Sequence, residues 1–370
     1  MANAAGPPAT LWRMRDFVQD VAAGMLHGFA LVAGAPVASE ATQLQHISQL
    51  YDNNKSAVSA EQLSLGCLPD LVKLLRDSLF VEVRRQAARA LGKLATQGAG
   101  LSQLIGQDPK AVAGIISLLG GSSESQLVAA LAIARLAWQN PSNQDRIAAE
   151  SGVIKGLTAM LGSGKAEKNR PAVLALMELT SRSPANRERI GQVPPAIKGL
   201  VALLSSSDAY TQQAAACALG NLALECPLNS ERISQEPGAV SALLALLSSG
   251  DARVQHRAAF AVVSAAEGSS DFVQALQGTR SAAVWLALSH EKELAALPDS
   301  ELLEISRLLH RLAAGSMALR QAMAESHELL DLLLALIGRL DSRDTPDNMA
   351  SATLRLLTDG EVWSAKDEVV

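Results

Sequence analysis

Asn143-Gln144-Asp145-Arg146-Ile147 (NQDRI) returns as Asn186-Arg187-Glu188-Arg189-Ile190 (NRERI) and again as Asn229-Ser230-Glu231-Arg232-Ile233 (NSERI), 43 residues further on each time. A catalytic motif serves one site and occurs once. An Asn, an acid and then Arg-Ile recurring at a fixed interval therefore mark a structural unit used repeatedly. The residues after NSERI show what that unit contains. Asn229 is placed to accept from the free amides of a new helical turn, Glu231 to sit in that first turn where the helix dipole favours an anion, and Ile233 to point inward. Pro237 and Gly238 break this short helix. Val240, Leu243, Leu244 and Leu247 then share one face of a second helix. Ser248-Ser249-Gly250 closes it, Asp251 caps the next, and ARVQHRAAFAVVSAA runs on as a third helix with small residues where helices come close. The unit is three helices.

The same pattern can be followed along the chain. Third helices read QAARALGKLA from Gln86, VAALAIARLA from Val128, PAVLALMELT from Pro171, QAAACALGNLA from Gln213 and RAAFAVVSAA from Arg257. Equivalent positions in them are 89, 131, 174, 217 and 260, spaced by 42, 43, 43 and 43 residues. Fainter copies place Gln45 upstream, and Arg307 and Ser351 downstream after an insertion around HEKELAALP. The expectation is an all-α solenoid of about eight repeats of roughly 43 residues, covering 10–360 and most regular over 63–277. Residues 1–9 are a disordered lead and 361–370 an acidic tail. Composition agrees: 48% of the 370 residues are hydrophobic, yet the aromatics are five Phe, four Trp and two Tyr, so Leu, Ala, Val and Ile must fill the interior.

GAVSALLALLSSGDARVQHRAAFAV and TQQAAACALGNLALECPLNSERI resemble armadillo repeats, the three-helix solenoid of importin-α and β-catenin. The resemblance implies a right-handed α-α superhelix whose third helices line a concave groove that binds an extended partner peptide. Importin-α-like repeats carry Trp and, four residues on, Asn along successive third helices. Here the Trp positions hold Arg89, Leu131, Leu174, Cys217, Phe260, Arg307 and Ser351, and the Asn positions hold Lys93, Arg135, Glu178, Asn221, Ser264, Arg311 and Arg355. Asn221 alone fits that pattern. The same columns suggest basic ends, Arg89, Lys93 and Arg135 on one side and Arg307, Arg311 and Arg355 on the other, with Glu178 and Glu267 between. The partner implied is an acidic or phosphorylated extended protein segment, with Trp138 as an aromatic anchor. The candidate binding residues are thus Arg89, Lys93, Arg135, Trp138, Asn221, Arg307, Arg311 and Arg355.

The functional expectation is a non-enzymatic scaffold or adaptor, cytoplasmic or nuclear, without cofactor, metal or small-molecule substrate. A second reading is the substrate-binding component of a ubiquitin-ligase assembly, and a third is a nuclear-import adaptor, which the missing Trp column opposes. Catalytic motifs are thin. Gly162–Ala166 (GSGKA) has Ala159 and Ala166 where a phosphate loop needs Gly and Ser or Thr, and it fits an inter-helix loop better. His290-Glu291 and His327-Glu328 lack the second His of a zinc helix. Cys67, Cys217 and Cys226 have no metal-ligand spacing and favour a reducing compartment. A formal charge of -5 gives no global attraction to nucleic acid or anionic lipid. The uncharged stretch 21–38 is read as a terminal core helix rather than a signal peptide or membrane span, because Asp16, Gln19 and Asp20 precede it and Pro36 interrupts it, and Ala2 excludes myristoylation.

Overall fold

The computed structural model describes residues 60–162, 166–277, 281–288, 299–315, 317–340 and 349–364, and among them there is no strand. A pair of helices, α1 (Ala60–Asp77) and α2 (Val81–Ala95), is followed by triplets. The first triplet is α3 (Ala99–Gln107), α4 (Pro109–Ser117) and α5 (Ser123–Ala137); the second is α6 (Pro141–Ala149), α7 (Val153–Leu161) and α8 (Ala166–Thr180). Next come α9 (Pro184–Gly191), α10 (Pro194–Leu203) and α11 (Ala209–Ala223), then α12 (Pro227–Gln235), α13 (Ala239–Leu246) and α14 (Ala252–Ala265). The last two are α15 (Ser270–Gln277), α16 (Ser281–Leu288) and α17 (Asp299–Gly315), then α18 (Met317–Ala324), α19 (His327–Leu340) and α20 (Met349–Ser364). The chain forms two compact units, 1–183 and 184–370. The regions expected at 10–59, the stretch 21–38 and the insertion around 290–298 lie outside the described residues.

Third helices form the spine of each unit. In the first, α2 packs on α5 and α5 on α8; in the second, α11 packs on α14 and α17 on α20. Their contact faces carry Ala and Gly, which lets backbones approach. A Cβ on Gly92 would lie 3.0 Å from the Cα of Ala132, and one on Gly220 would lie 2.7 Å from Cδ1 of Phe260. Leu91, Leu136, Leu176, Leu219 and Val262 are 1% exposed or less. At about 2 kcal/mol for each large aliphatic side chain withdrawn from water, this column dominates the stability of the stack.

Local chemistry sets the joints. Second helices α7 and α13 start at Gly152 and Gly238, whose φ of 91° and 83° favours glycine. Third helices are capped by side chains: Ser122 Oγ accepts from the Ser125 amide at 3.3 Å, Asp208 Oδ2 from Thr211 at 3.2 Å and Asp251 Oδ1 from Arg253 at 2.9 Å. The Arg253 side chain also donates to Asp251 and holds its carboxyl below the ordinary value. A depressed carboxylate stabilises above its unfolded value near 3.8 and loses that contribution as pH falls through the folded one. Asp251→Ala is therefore expected to cost about 1 kcal/mol at neutral pH in a denaturant melt, and less below pH ~3.5.

The recurring Asn has a different role from the expected one. Helix α12 starts at Pro227, in the first helical position, two residues before Asn229, and Glu231 lies beyond the first turn. Asn229 is fully buried inside the helix and donates from Nδ2 to the carbonyl of Leu222, in the last turn of α11, and to that of Arg187 in α9, both at 2.9 Å. Asn143 does the same one period earlier than Asn186, donating to Leu136 at 2.9 Å and to Ser102 at 2.8 Å. The next residue continues the pattern: Gln144 donates to Ala137 and Ser230 to Ala223. The motif thus satisfies carbonyls that helix termini leave open and ties α6 and α12 to the repeats before them. The residue that each of these two amides packs against is a glycine. A Cβ on Gly106 or Gly191 would fall 2.0 or 1.9 Å from Oδ1 of Asn143 or Asn229. At the carboxyl end, α20 runs from Met349 to Ser364.

Candidate partner-binding surfaces

In the amino-terminal unit, Arg89 and Lys93 stand one turn apart on α2, and Arg135 comes from α5. Gly92 brings these together. With no side chain there, α5 lies close and the Arg135 stem crosses α2, its Cδ 3.6 Å from where a Gly92 Cβ would be. Arg89 is exposed, Lys93 and Arg135 half-buried. Burial, with the like charge of Arg89 behind it, pulls Arg135 below an ordinary guanidinium. Arg89 donates to Gln86 Oε1 at 3.2 Å, and among the described residues no carboxylate pairs with Arg89 or Arg135. The nearby acids are used elsewhere: Glu82 and Glu124 both bind Arg85. Trp138 ends α5, three residues past Arg135, and is 50% exposed. These four residues form one cationic surface with an aromatic edge.

The carboxy-terminal unit differs. Arg307 and Arg355 are exposed on α17 and α20. Arg311 is engaged internally: its Nε binds Glu267, and its Nη1 lies 3.1 Å from Glu225. Glu225 follows α11 and Glu267 follows α14, so one guanidinium joins the ends of three successive third helices. The Glu225 amide also donates to Glu267 at 3.3 Å. Nothing in the sequence singles out Glu225, which is one acid among many. Cys217, Phe260 and Asn221 are 8%, 7% and 7% exposed and Ser264 is fully buried, so the two columns expected to face a groove are packed over in the middle of this unit. Phe260 fills the space above Gly220.

No helix among the described residues is long and apolar enough to cross a membrane. No group of three or more His, Cys, Asp or Glu among them could hold a metal ion.

Stacked helical triplets, with Asn staples between them and third helices forming the spine, define the class of α-helical repeat proteins. The profile of the Armadillo/beta-catenin-like repeat matches residues 183–224, which is the triplet α9–α11. An engineered protein solved by the Northeast Structural Genomics Consortium is 30% identical, covering 67% of this chain and 97% of its own, with a TM-score of 0.55. A second engineered protein from that consortium, 21% identical, covers 95% of this chain and 96% of its own at a TM-score of 0.54. A computationally designed armadillo repeat protein for modular peptide recognition, 22% identical, covers 73% and 98% at 0.52. Among curated proteins, none matches the chain. The chain is an armadillo-repeat protein, all-α in fold class, and this fold suits a protein-binding scaffold.

Proposed function

We propose that the chain is a non-enzymatic adaptor, in a cytoplasmic or nuclear setting, that holds an acidic or phosphorylated extended segment of a partner protein against Arg89, Lys93, Arg135 and Trp138. One observation carries this reading. Two adjacent guanidiniums, one half-buried, are paired with no carboxylate among the described residues, while Glu82 and Glu124 are committed to Arg85. Like charges held together raise the energy of the free surface, and an incoming anion relieves that repulsion as it forms charge-assisted hydrogen bonds. The solved designs for peptide recognition share the fold and lend the reading general support. Arg307 and Arg355 are a second, more solvated set in the other unit, and Arg311 is already neutralised by Glu225 and Glu267.

The test is direct binding of an arrayed set of extended Glu-rich and phosphoserine peptides to the full chain. Wild type should select acidic members, with affinity falling as salt rises. Arg89→Glu with Arg135→Glu should weaken that binding by roughly tenfold or more while the melting temperature holds, because both side chains reach solvent. Equal binding of neutral peptides, or no loss in the double variant, would refute the assignment.

A further inference from the structure

The cationic surface of the amino-terminal unit gathers more positive charge at one place than a single carboxylate can balance. Arg89 precedes Gly92 by three residues on α2, so their Cβ positions fall on one helix face, about 5–6 Å apart. The Arg135 stem passes over that glycine, with its Cδ 3.6 Å from the place of a Gly92 Cβ. Both arginine stems therefore pass the same turn of α2, and both reach solvent, Arg89 exposed and Arg135 half-buried. Arg89 is also oriented by its own helix. Its Nη1 donates to Gln86 Oε1 at 3.2 Å, and Gln86 Nε2 donates in turn to Glu82 Oε1 at 2.7 Å. This relay engages one edge of the guanidinium and leaves the rest of its donor fork for a ligand.

Charge balance decides what fits. At the position equivalent to Arg135 in the other unit, Arg311 is bound by two carboxylates, Glu225 and Glu267. On α2 and α5 the ratio is inverted: two guanidiniums adjoin, and among the described residues no carboxylate pairs with either, Glu82 and Glu124 being bound to Arg85. One carboxylate from a partner would cancel half of this charge and leave part of the repulsion in place. Two carboxylates would supply the charge but would repel one another and require two side chains to be ordered. A phosphomonoester brings about two negative charges on one group, with oxygens that accept from both forks. A lipid headgroup can carry the same group, but recognition of a membrane takes a cluster of about four to eight cations. The formal charge of -5 on the chain also opposes an anionic surface.

We infer that Arg89 and Arg135 form one subsite for a single phosphoserine or phosphothreonine side chain of the partner segment, with Gln86 as the residue that positions Arg89. This rests on the adaptor reading above and narrows it from acidic segments in general to phosphorylated ones.

The test takes an extended peptide that the full chain binds and compares forms with phosphoserine, Glu or Ser at one position. The phosphoserine form should bind roughly tenfold or more tighter than the Glu form, and the Ser form should be weakest. Arg89→Gln and Arg135→Gln should each reduce the preference for phosphoserine over Glu to about threefold or less, and Arg89→Lys, which keeps the charge but loses the fork, should lower it as well. Gln86→Leu should reduce the same preference with an unchanged melting curve, a readout that a merely structural role would not move. Equal affinity for the phosphoserine and Glu forms, or a preference unchanged in both Gln variants, would overturn the inference while leaving the adaptor reading in place. Failure to bind any acidic or phosphorylated peptide would overturn both. Tighter capture of the chain by vesicles bearing phosphatidylinositol phosphate than by the phosphoserine peptide would overturn the assignment to a protein segment.

Discussion

Leu219→Asp is expected to lower the melting temperature by on the order of 10 °C, or to prevent folding of the carboxy-terminal unit. Leu219 is 1% exposed on α11, in the spine where this helix packs on α14, and its neighbours Ala215, Ala216, Ala218 and Leu222 offer no polar partner. A carboxylate there must be neutralised or drag in water, and either cost approaches about 4 kcal/mol. Leu219→Ala in the same melt should lose less, about 3 kcal/mol, because it leaves a cavity without a charge. A cooperative melt at the wild-type temperature for the Asp variant would contradict the register of the whole spine.

The second large effect is expected at Gly191. Gly191→Ala would ordinarily help a helix by up to about 1 kcal/mol. Here the new Cβ would overlap the whole Asn229 amide, 1.9 Å from Oδ1, 2.3 Å from Cγ and 2.5 Å from Nδ2. Displacing that amide leaves the carbonyls of Leu222 and Arg187 without its hydrogen bonds and removes the acceptor of Arg232. The expected loss is about 2–4 kcal/mol, similar to or larger than that of Asn229→Ala alone. In the Asn229→Ala background, however, Gly191→Ala should cost almost nothing, because its obstacle has gone. Chemical denaturation of the four proteins measures this coupling, and additive losses would mean that the two residues do not share the space assigned to them.

The positions 89, 131, 174, 217 and 260, which spacing alone picks out, fall in α2, α5, α8, α11 and α14, the third helices of the repeats. Repetition makes this legible, since a helical face read weakly once is read firmly when it returns at a fixed interval. Asp251 as a cap is equally plain, because a cap and its amide lie within three residues. Asn229 defeats local reading for the converse reason. Local rules consider near neighbours, and they favour Asn at a helix start, but its partners lie at 222 and 187, and Pro227 has already set the start. A signal is present all the same, in Gly106 ahead of Asn143 and Gly191 ahead of Asn229. A glycine paired with a buried amide in a neighbouring repeat marks close approach between those repeats.

The candidate surface divides similarly. The sequence supplies a column of cations but not what they face. Arg135 and Arg311 hold equivalent positions in their helices, four residues after Leu131 and Arg307 respectively. One lies over a glycine beside a like charge, and the other is bound by two acids that are 44 and 86 residues away.

By itself, the sequence determined the helical unit, its 43-residue period and which side of each third helix is apolar, because these follow from periodicity and short-range backbone chemistry. Tertiary structure alone decided which cations are neutralised, that Asn221 is buried, and that Leu334 stays exposed. Those outcomes depend on distances between side chains from different repeats, and a charge or an apolar surface has no fixed energy until its neighbours are in place.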